Sequence, residues 1–225
     1  LEKELNNGII FGCIVNPHDC RKNLLQMMRG FSMATSELKN AILILKFSCK
    51  GSNENLEPYK FIYNELFNWL LDSHCANYSN IFFSTDFIEE EDLELFYKSL
   101  DFYICTSRCE GQNLPLQEAM SYGVVPISVD NTAMKDYIYS NNAFVINSYC
   151  QKVDYLSHSN SEFWGLEWNN CNADNIADKM IEAATSSPIE LSKKSINAAN
   201  IISKLTSYEE ISNKIKDILN ISSFK

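Results

Sequence analysis

The sequence predicts an α/β fold, a Rossmann-like doubly wound parallel sheet, on three observations. Runs that are apolar almost throughout, GIIFGCIVN at 8–16 and AILILKF at 41–47, suit strands buried on both faces. Between such runs lie segments with apolar residues at helical spacing, such as Leu24, Leu25, Met28 and Phe31. The stretch 102–128 reads as strand, Gly-containing loop, Pro-started helix, glycine and strand, which is one βαβ unit. Strands alternating with helices at this spacing make a parallel sheet covered on both faces.

Taken in order, the first strand runs from Gly8 to Asn16, and the loop Pro17-His18-Asp19-Cys20 leads through Arg21-Lys22-Asn23 into the first helix. The second strand, Ala41 to Phe47, precedes a polar break at 50–57, and Pro58 starts a helix with Phe61, Ile62, Leu66, Trp69 and Leu70 on one face. Asn80 to Ser84 is a third strand, and Glu89-Glu90-Glu91-Asp92 places acids in the first turn of the next helix, where the dipole favours them. The central unit then holds a strand at 102–106, the loop Ser107-Arg108-Cys109-Glu110-Gly111, a helix opening near Asn113-Leu114-Pro115, and a strand at 124–128. Pro115 suits a first helical turn, where its missing amide has no partner to lose, and Gly123 ends the helix. Ala143 to Asn147 is a last strand, and 148–172 shows no periodicity and is expected to be a packed irregular loop. Its aromatics, from Tyr149 to Trp168, are expected to serve as core rather than as a sugar platform. Helices follow to about Leu219, with roughly 190–225 as a helical extension of a single domain at 1–225.

Composition limits the partners. With 225 residues, 45% of them apolar, the chain can bury a sizeable core. A net charge of −10 argues against nucleic acid, so a phosphate ligand must be held by local cations and helix ends. The apolar runs are far shorter than a membrane span and no charged-then-apolar leader opens the chain. The eight cysteines are scattered without a C-x-x-C pair, which predicts reduced thiols in a cytoplasmic setting. His18 with Cys20 is too sparse for a metal site, and none is expected. The chain begins on Leu1, which points to a piece of a longer polypeptide.

Glu110 and Glu118 flank one helix N-terminus, a natural seat for phosphate, and two acceptor carboxylates there suit the hydroxyls of a ribose and a hexose. Arg21 and Lys22 oppose the dipole of the helix they precede, which favours a ligand role over a surface one. Arg108, one of three arginines, is expected to pair with Glu110 and orient it.

With Glu110-Gly111, Pro115-Leu116-Gln117-Glu118-Ala119-Met120 and Gly123-Val124-Val125-Pro126-Ile127, the sequence resembles the E-x7-E signature of retaining GT-B glycosyltransferases of group 1 (glycogen-synthase-like). Phe11 to Phe31, Asn80 to Asp101 and Tyr208-Glu209-Glu210-Ile211 are similar to further parts of that family's donor-binding half. The resemblance implies transfer of a sugar from a UDP-, GDP- or ADP-linked donor to a glycan or lipid-linked acceptor, with retention and without a metal. It also implies an N-terminal acceptor domain outside these residues, and a chain that is cytoplasmic or peripheral at the membrane through that domain. By the same resemblance Glu118 takes the ribose, Glu110 faces the donor sugar, and Lys22 helped by Arg21 neutralises the diphosphate. The amides around Gly111, Gln112, Asn113 and Leu114 cradle the distal phosphate and sugar, and Ile88 or the backbone near Asp86 meets the base. The family usually has Phe-Gly at Gln112-Asn113, so Asn113 must take the glycine's left-handed geometry, and Lys46 stands in for an arginine missing after the first strand. Two other readings share the architecture: a noncatalytic interaction domain and a nucleotide-sugar 2-epimerase.

Overall fold

The computed structural model describes residues 8–17, 19–48, 64, 68, 80–84, 88–154 and 161–219. The polar break at 50–57, Asp86, His18, His74 and His158 lie outside them, and of the helix expected after Pro58 only Asn64 and Asn68 are described, both helical.

Among the described residues six strands form one sheet: β1 (Ile10–Val15), β2 (Ile42–Phe47), β3 (Ile81–Ser84), β4 (Phe102–Cys105), β5 (Val125–Ser128) and β6 (Phe144–Val145). Their order is β3-β2-β1-β4-β5-β6 and every pairing is parallel, as the apolar runs predict. Pro126 brings no amide to β5, and the short β6 begins pairing only one rung later, at Ile127 with Phe144. The main helices are α1 (Leu24–Ala34), α2 (Glu90–Lys98), α3 (Leu114–Ser121), α4 (Ala173–Thr185), α5 (Pro188–Leu205) and α6 (Tyr208–Ile218). Helix α1 packs on α4 over one face of the sheet, while α3 packs on α2 and α5 over the other.

The core runs along the first and fourth strands. Phe11 stacks on Phe102 at 5.4 Å between ring centroids and meets Phe31 of α1 edge-on at 6.1 Å. Phe102 in turn meets Phe144 edge-on at 6.3 Å, so one aromatic line ties β1, β4 and β6 to α1.

Helix α5 belongs to this core rather than trailing from it, because Ala198 and Ile202 are buried. Its Lys194 is also buried, donating to the carbonyls of Ser140 and Ala143 and lying 4.6 Å from the Phe144 ring centre. A Lys194→Met change keeps the stem and orphans both carbonyls. It is expected to destabilise the fold by about 1.5–3 kcal/mol in urea titration.

The irregular loop expected at 148–172 is instead partly a hairpin: β7 (Tyr149–Lys152) pairs antiparallel with β8 (Glu167–Asn170). Its alternation is hidden because both strands are short and largely polar, and Trp168 is the buried residue of β8. The core role expected for its aromatics holds for Trp168, whereas Tyr149, Phe163 and Trp164 are exposed, since a two-stranded ribbon shelters little of its own surface.

Candidate active site

A crevice opens where the strand order reverses. Backbone pairing between β1 and β4 covers Phe11 with Phe102 and Gly12 with Tyr103. At the next rungs the amide of Ile14 donates to the Tyr103 hydroxyl at 3.1 Å instead. The two strands are therefore wedged apart toward their carboxyl ends by a side chain. Cys13, Val15, Lys22, Thr106, Ser107 and Asn113 line the opening. This is the switch point at which open α/β sheets accept ligands.

Lys22 and Glu110 meet in it. Cys20–Lys22 is a 3-10 turn, and Asn23, at φ 56°, breaks it before α1 begins. The Asn23 amide donates to Asn170 at 3.1 Å and to the Cys171 carbonyl at 3.2 Å, and Thr106 Oγ1 donates to the Lys22 carbonyl at 2.9 Å. So fixed, Lys22 Nζ lies 2.5 Å from Glu110 Oε1, with the carboxylate side chain 8% exposed and the lysine 20%. Such a pair is partly desolvated, which strengthens the attraction and makes either charge costly to leave alone. Arg21 is committed elsewhere: Nε and Nη2 hold the two oxygens of Asp19 at 3.0 and 2.5 Å.

The expected Arg108–Glu110 pair does not form. Arg108 points the other way, its Nη1 donating to the Cys20 carbonyl at 2.6 Å and its guanidinium lying 4.6 Å from the Trp168 ring centre. Burial lowers the pKa of its guanidinium. The Arg108 amide donates to the Arg21 carbonyl at 2.7 Å, and its carbonyl accepts from Asn169 at 3.1 Å. Two residues of separation from Glu110 say nothing of direction here, because the loop turns between them and the nearer cation is Lys22.

Helix α3 starts beside this pair. Asn113 adopts the left-handed conformation, φ 60°, that the turn demands, and its Oδ1 accepts from the Leu116 amide at 3.4 Å. Its Nδ2 reaches Glu110 Oε1 at 3.4 Å and Cys105 Sγ at 3.1 Å. Gly111 and Gln112 are exposed, and Leu114 is the first residue of the helix, 54% exposed. Open space surrounds the position of a Cβ on Gly111, so a ligand can approach the main chain there. Glu118, one turn inside α3, accepts at 2.6 Å from the hydroxyl of Tyr97 on α2. Burial and the neighbouring carboxylate raise the Tyr97 pKa, which keeps it a donor across the working range of pH. Tyr122 stacks on the Tyr97 ring at 5.8 Å and holds it in place.

Among the remaining sequence-predicted residues, Lys46 is buried and donates to the Phe47 carbonyl at 2.9 Å. Ile88 is half-buried ahead of α2. Cys13, Cys105 and Cys171 are free and buried, and burial raises their pKa values, so they stay protonated thiols near neutral pH. Among the described residues no three His, Cys, Asp or Glu side chains cluster as metal ligands, and no helix is long and apolar enough to cross a membrane. Sequence reasoning missed Asn23 and Tyr97 as supports of the two carboxylates' surroundings. The left-handed tendency of asparagine before a helix is a signal for the first, and nothing local marks the second.

Residues 71–159 match the family model described as glycosyl transferases group 1. A search of curated proteins finds no match. Among solved structures, an α,α-trehalose-phosphate synthase (UDP-forming) from Burkholderia vietnamiensis superposes with a TM-score of 0.69 at 11% identity, covering 98% of this chain and 47% of that one. The C-terminal domain of a group 1 family glycosyl transferase, LpcC from Francisella tularensis, gives 0.64 at 15% identity, covering 92% of this chain and 90% of that one. TarM of S. aureus, in complex with UDP and alpha-GlcNAc-glycerol among other ligands, gives 0.64 at 15% identity, covering 95% of this chain and 36% of that one. The chain spans about half the length of the trehalose-phosphate synthases it matches. The fold is that of the C-terminal Rossmann-like domain of GT-B glycosyltransferases, and the stretch Glu110 to Ile127 that carries the group 1 resemblance lies within the residues the family model matches.

Proposed function

We propose that this chain is the donor-binding half of a retaining glycosyltransferase, taking a sugar from a nucleoside diphosphate and working with an N-terminal domain that holds the acceptor. The observation that carries it is the Lys22–Glu110 pair at the mouth of the β1–β4 crevice, 2.5 Å apart and beside the first turn of α3. The cation and the helix end supply positive potential where a diphosphate leaves, without a metal, and the carboxylate supplies an acceptor for sugar hydroxyls. At rest the two neutralise each other. An entering diphosphate draws Lys22 to itself and frees Glu110 for the sugar ring, so the two ends of the donor are bound by the two halves of one ion pair. Arg21 lends charge only at longer range, since Asp19 holds its guanidinium at two points.

Glu118 takes the ribose with the oxygen that Tyr97 leaves free. During transfer the bond from the anomeric carbon to the diphosphate oxygen breaks, the acceptor oxygen bonds to the same carbon from the same face, and the hydroxyl proton leaves with the departing phosphate. The amides near Gly111 to Leu114 hold that phosphate, and Ile88 offers an apolar contact to the base. UDP in the TarM structure and UDP formation by the trehalose-phosphate synthases favour a uridine donor and a hydroxyl acceptor, for which a glycan or a lipid-linked sugar is proposed.

The test is nucleotide binding by Glu118→Ala. Loss of a charged hydrogen-bond acceptor for the ribose is expected to weaken UDP by about 1.5–3 kcal/mol, roughly 10- to 150-fold, in calorimetry. The variant should lose its preference for UDP over 2′,3′-dideoxy-UDP as well. Equal affinities of wild type and variant for UDP would remove the ribose assignment.

A further inference from the structure

The loop after β5 grips Glu110 in an unusual way. Thr132 there has a φ of +45°, a conformation that costs a β-branched residue dearly and persists only where surrounding contacts enforce it. Its hydroxyl accepts from the Glu110 amide at 2.9 Å and donates to Asn131 Oδ1 at 3.1 Å. Asn131 is 2% exposed, and its Nδ2 donates to the Ser107 carbonyl at 3.1 Å. The Ala133 amide reaches the Glu110 carbonyl at 3.4 Å. Tyr137, from the same segment, donates to the Gln112 carbonyl at 2.6 Å. One segment therefore holds the Ser107–Glu110 turn at both ends and the residue two places beyond it. At this left-handed backbone the hydroxyl of Thr132 lies between the amide of Glu110 and the carboxamide of Asn131.

We propose that Thr132 is a positioning residue: its strained conformation and hydroxyl fix the main chain of Glu110 so that the carboxylate meets the sugar of the donor. This rests on the reading of Glu110 as the sugar's acceptor given above. It separates the two ends of the donor. Lys22 and Glu118 hold the nucleoside diphosphate and do not touch Thr132. The sugar depends on Glu110, and Glu110 depends on Thr132. Loosening the clamp therefore removes the affinity the sugar adds and leaves that of the bare nucleotide.

The experiment is calorimetry on this chain with UDP, GDP and ADP and with their glucose conjugates, for wild type, T132S, T132V and T132G. Wild type is expected to bind one nucleotide and to gain affinity when the glucose is attached. T132V should keep the nucleotide Kd within about twofold and lose about fivefold for the conjugate, the size of one hydrogen bond's contribution. T132S, which retains the hydroxyl, should restore the gain. T132G, free of the positive-φ cost, should melt at a higher temperature and still lose the sugar's contribution. If T132V fails to fold, T132G decides. Wild-type affinity for the conjugate in T132G, or equal weakening of nucleotide and conjugate, overturns the proposal. A wild type that binds nucleotide and gains nothing from the glucose overturns it too, and leaves the nucleotide site standing. A wild type that binds none of the six probes overturns the reading of the site itself.

Discussion

Lys22→Met weakens nucleoside diphosphate binding by about 2–4 kcal/mol, roughly 30- to 1000-fold, because one partner of a partly buried charge pair is removed on the side that receives the ligand. The unliganded protein also loses stability, by about 1.5–3 kcal/mol, since Glu110 is then left 8% exposed with no cation at 2.5 Å. Glu110→Gln makes the opposite change at the same place. It frees Lys22 from its carboxylate, so the bare nucleotide should bind as well or better while a sugar conjugate loses affinity. Calorimetry on the two variants separates these effects. A Lys22→Met protein that binds UDP, GDP and ADP as the wild type does would end the assignment of Lys22 to the diphosphate, and equal losses for nucleotide and conjugate in Glu110→Gln would end the assignment of Glu110 to the sugar.

Gly30→Val disrupts the layer that carries Lys22. A Cβ on Gly30 would stand 2.6 Å from Ile176 Cγ2 and 2.9 Å from the Ala173 carbonyl, both on α4. Neither can yield without moving that helix, because the Ala173 contact is backbone and Ile176 is fully buried. Even alanine is expected to cost about 1–3 kcal/mol from overpacking, less roughly 1 kcal/mol of helix propensity regained. Valine adds two methyls and should lower the melting temperature by about 10 °C or more, at roughly 2–4 °C per kcal/mol for a chain of this size. Binding suffers with it, since Asn23, just ahead of α1, is tied to Asn170 and Cys171, just ahead of α4. A Gly30→Val protein with an unchanged melting temperature would show that α1 and α4 do not pack as closely as described.

Much of this molecule is legible locally. The run Gly8 to Asn16 announces a strand buried on both sides, since an exposed edge or face would have needed polar residues at alternate places. Pro115 and Gly123 mark the two ends of α3 through a missing amide and a φ of +80°. Glu110 and Glu118, with the apolar residues around them, carry the group 1 resemblance before any contact is known. The hairpin β7–β8 was not legible, because a two-stranded ribbon with one buried tryptophan leaves almost no periodic signal. Its docking depends on Arg108 and Asn170, whose partners lie in other segments.

The amino-acid order by itself determined the strands of the parallel sheet and the helices α1 to α4, and that two carboxylates flank one helix start. These are decided within a few residues, by sterics and by the spacing of apolar side chains. Only the tertiary structure decided which cation meets Glu110. Lys22 is 88 residues away along the chain and Arg108 only two, yet Lys22 forms the pair. The strand order brings the ends of β1 and β4 side by side, and Tyr103 holds them apart. The same holds for Thr132, whose strained backbone is paid for by contacts with the Ser107–Glu110 turn, across a gap no local pattern spans.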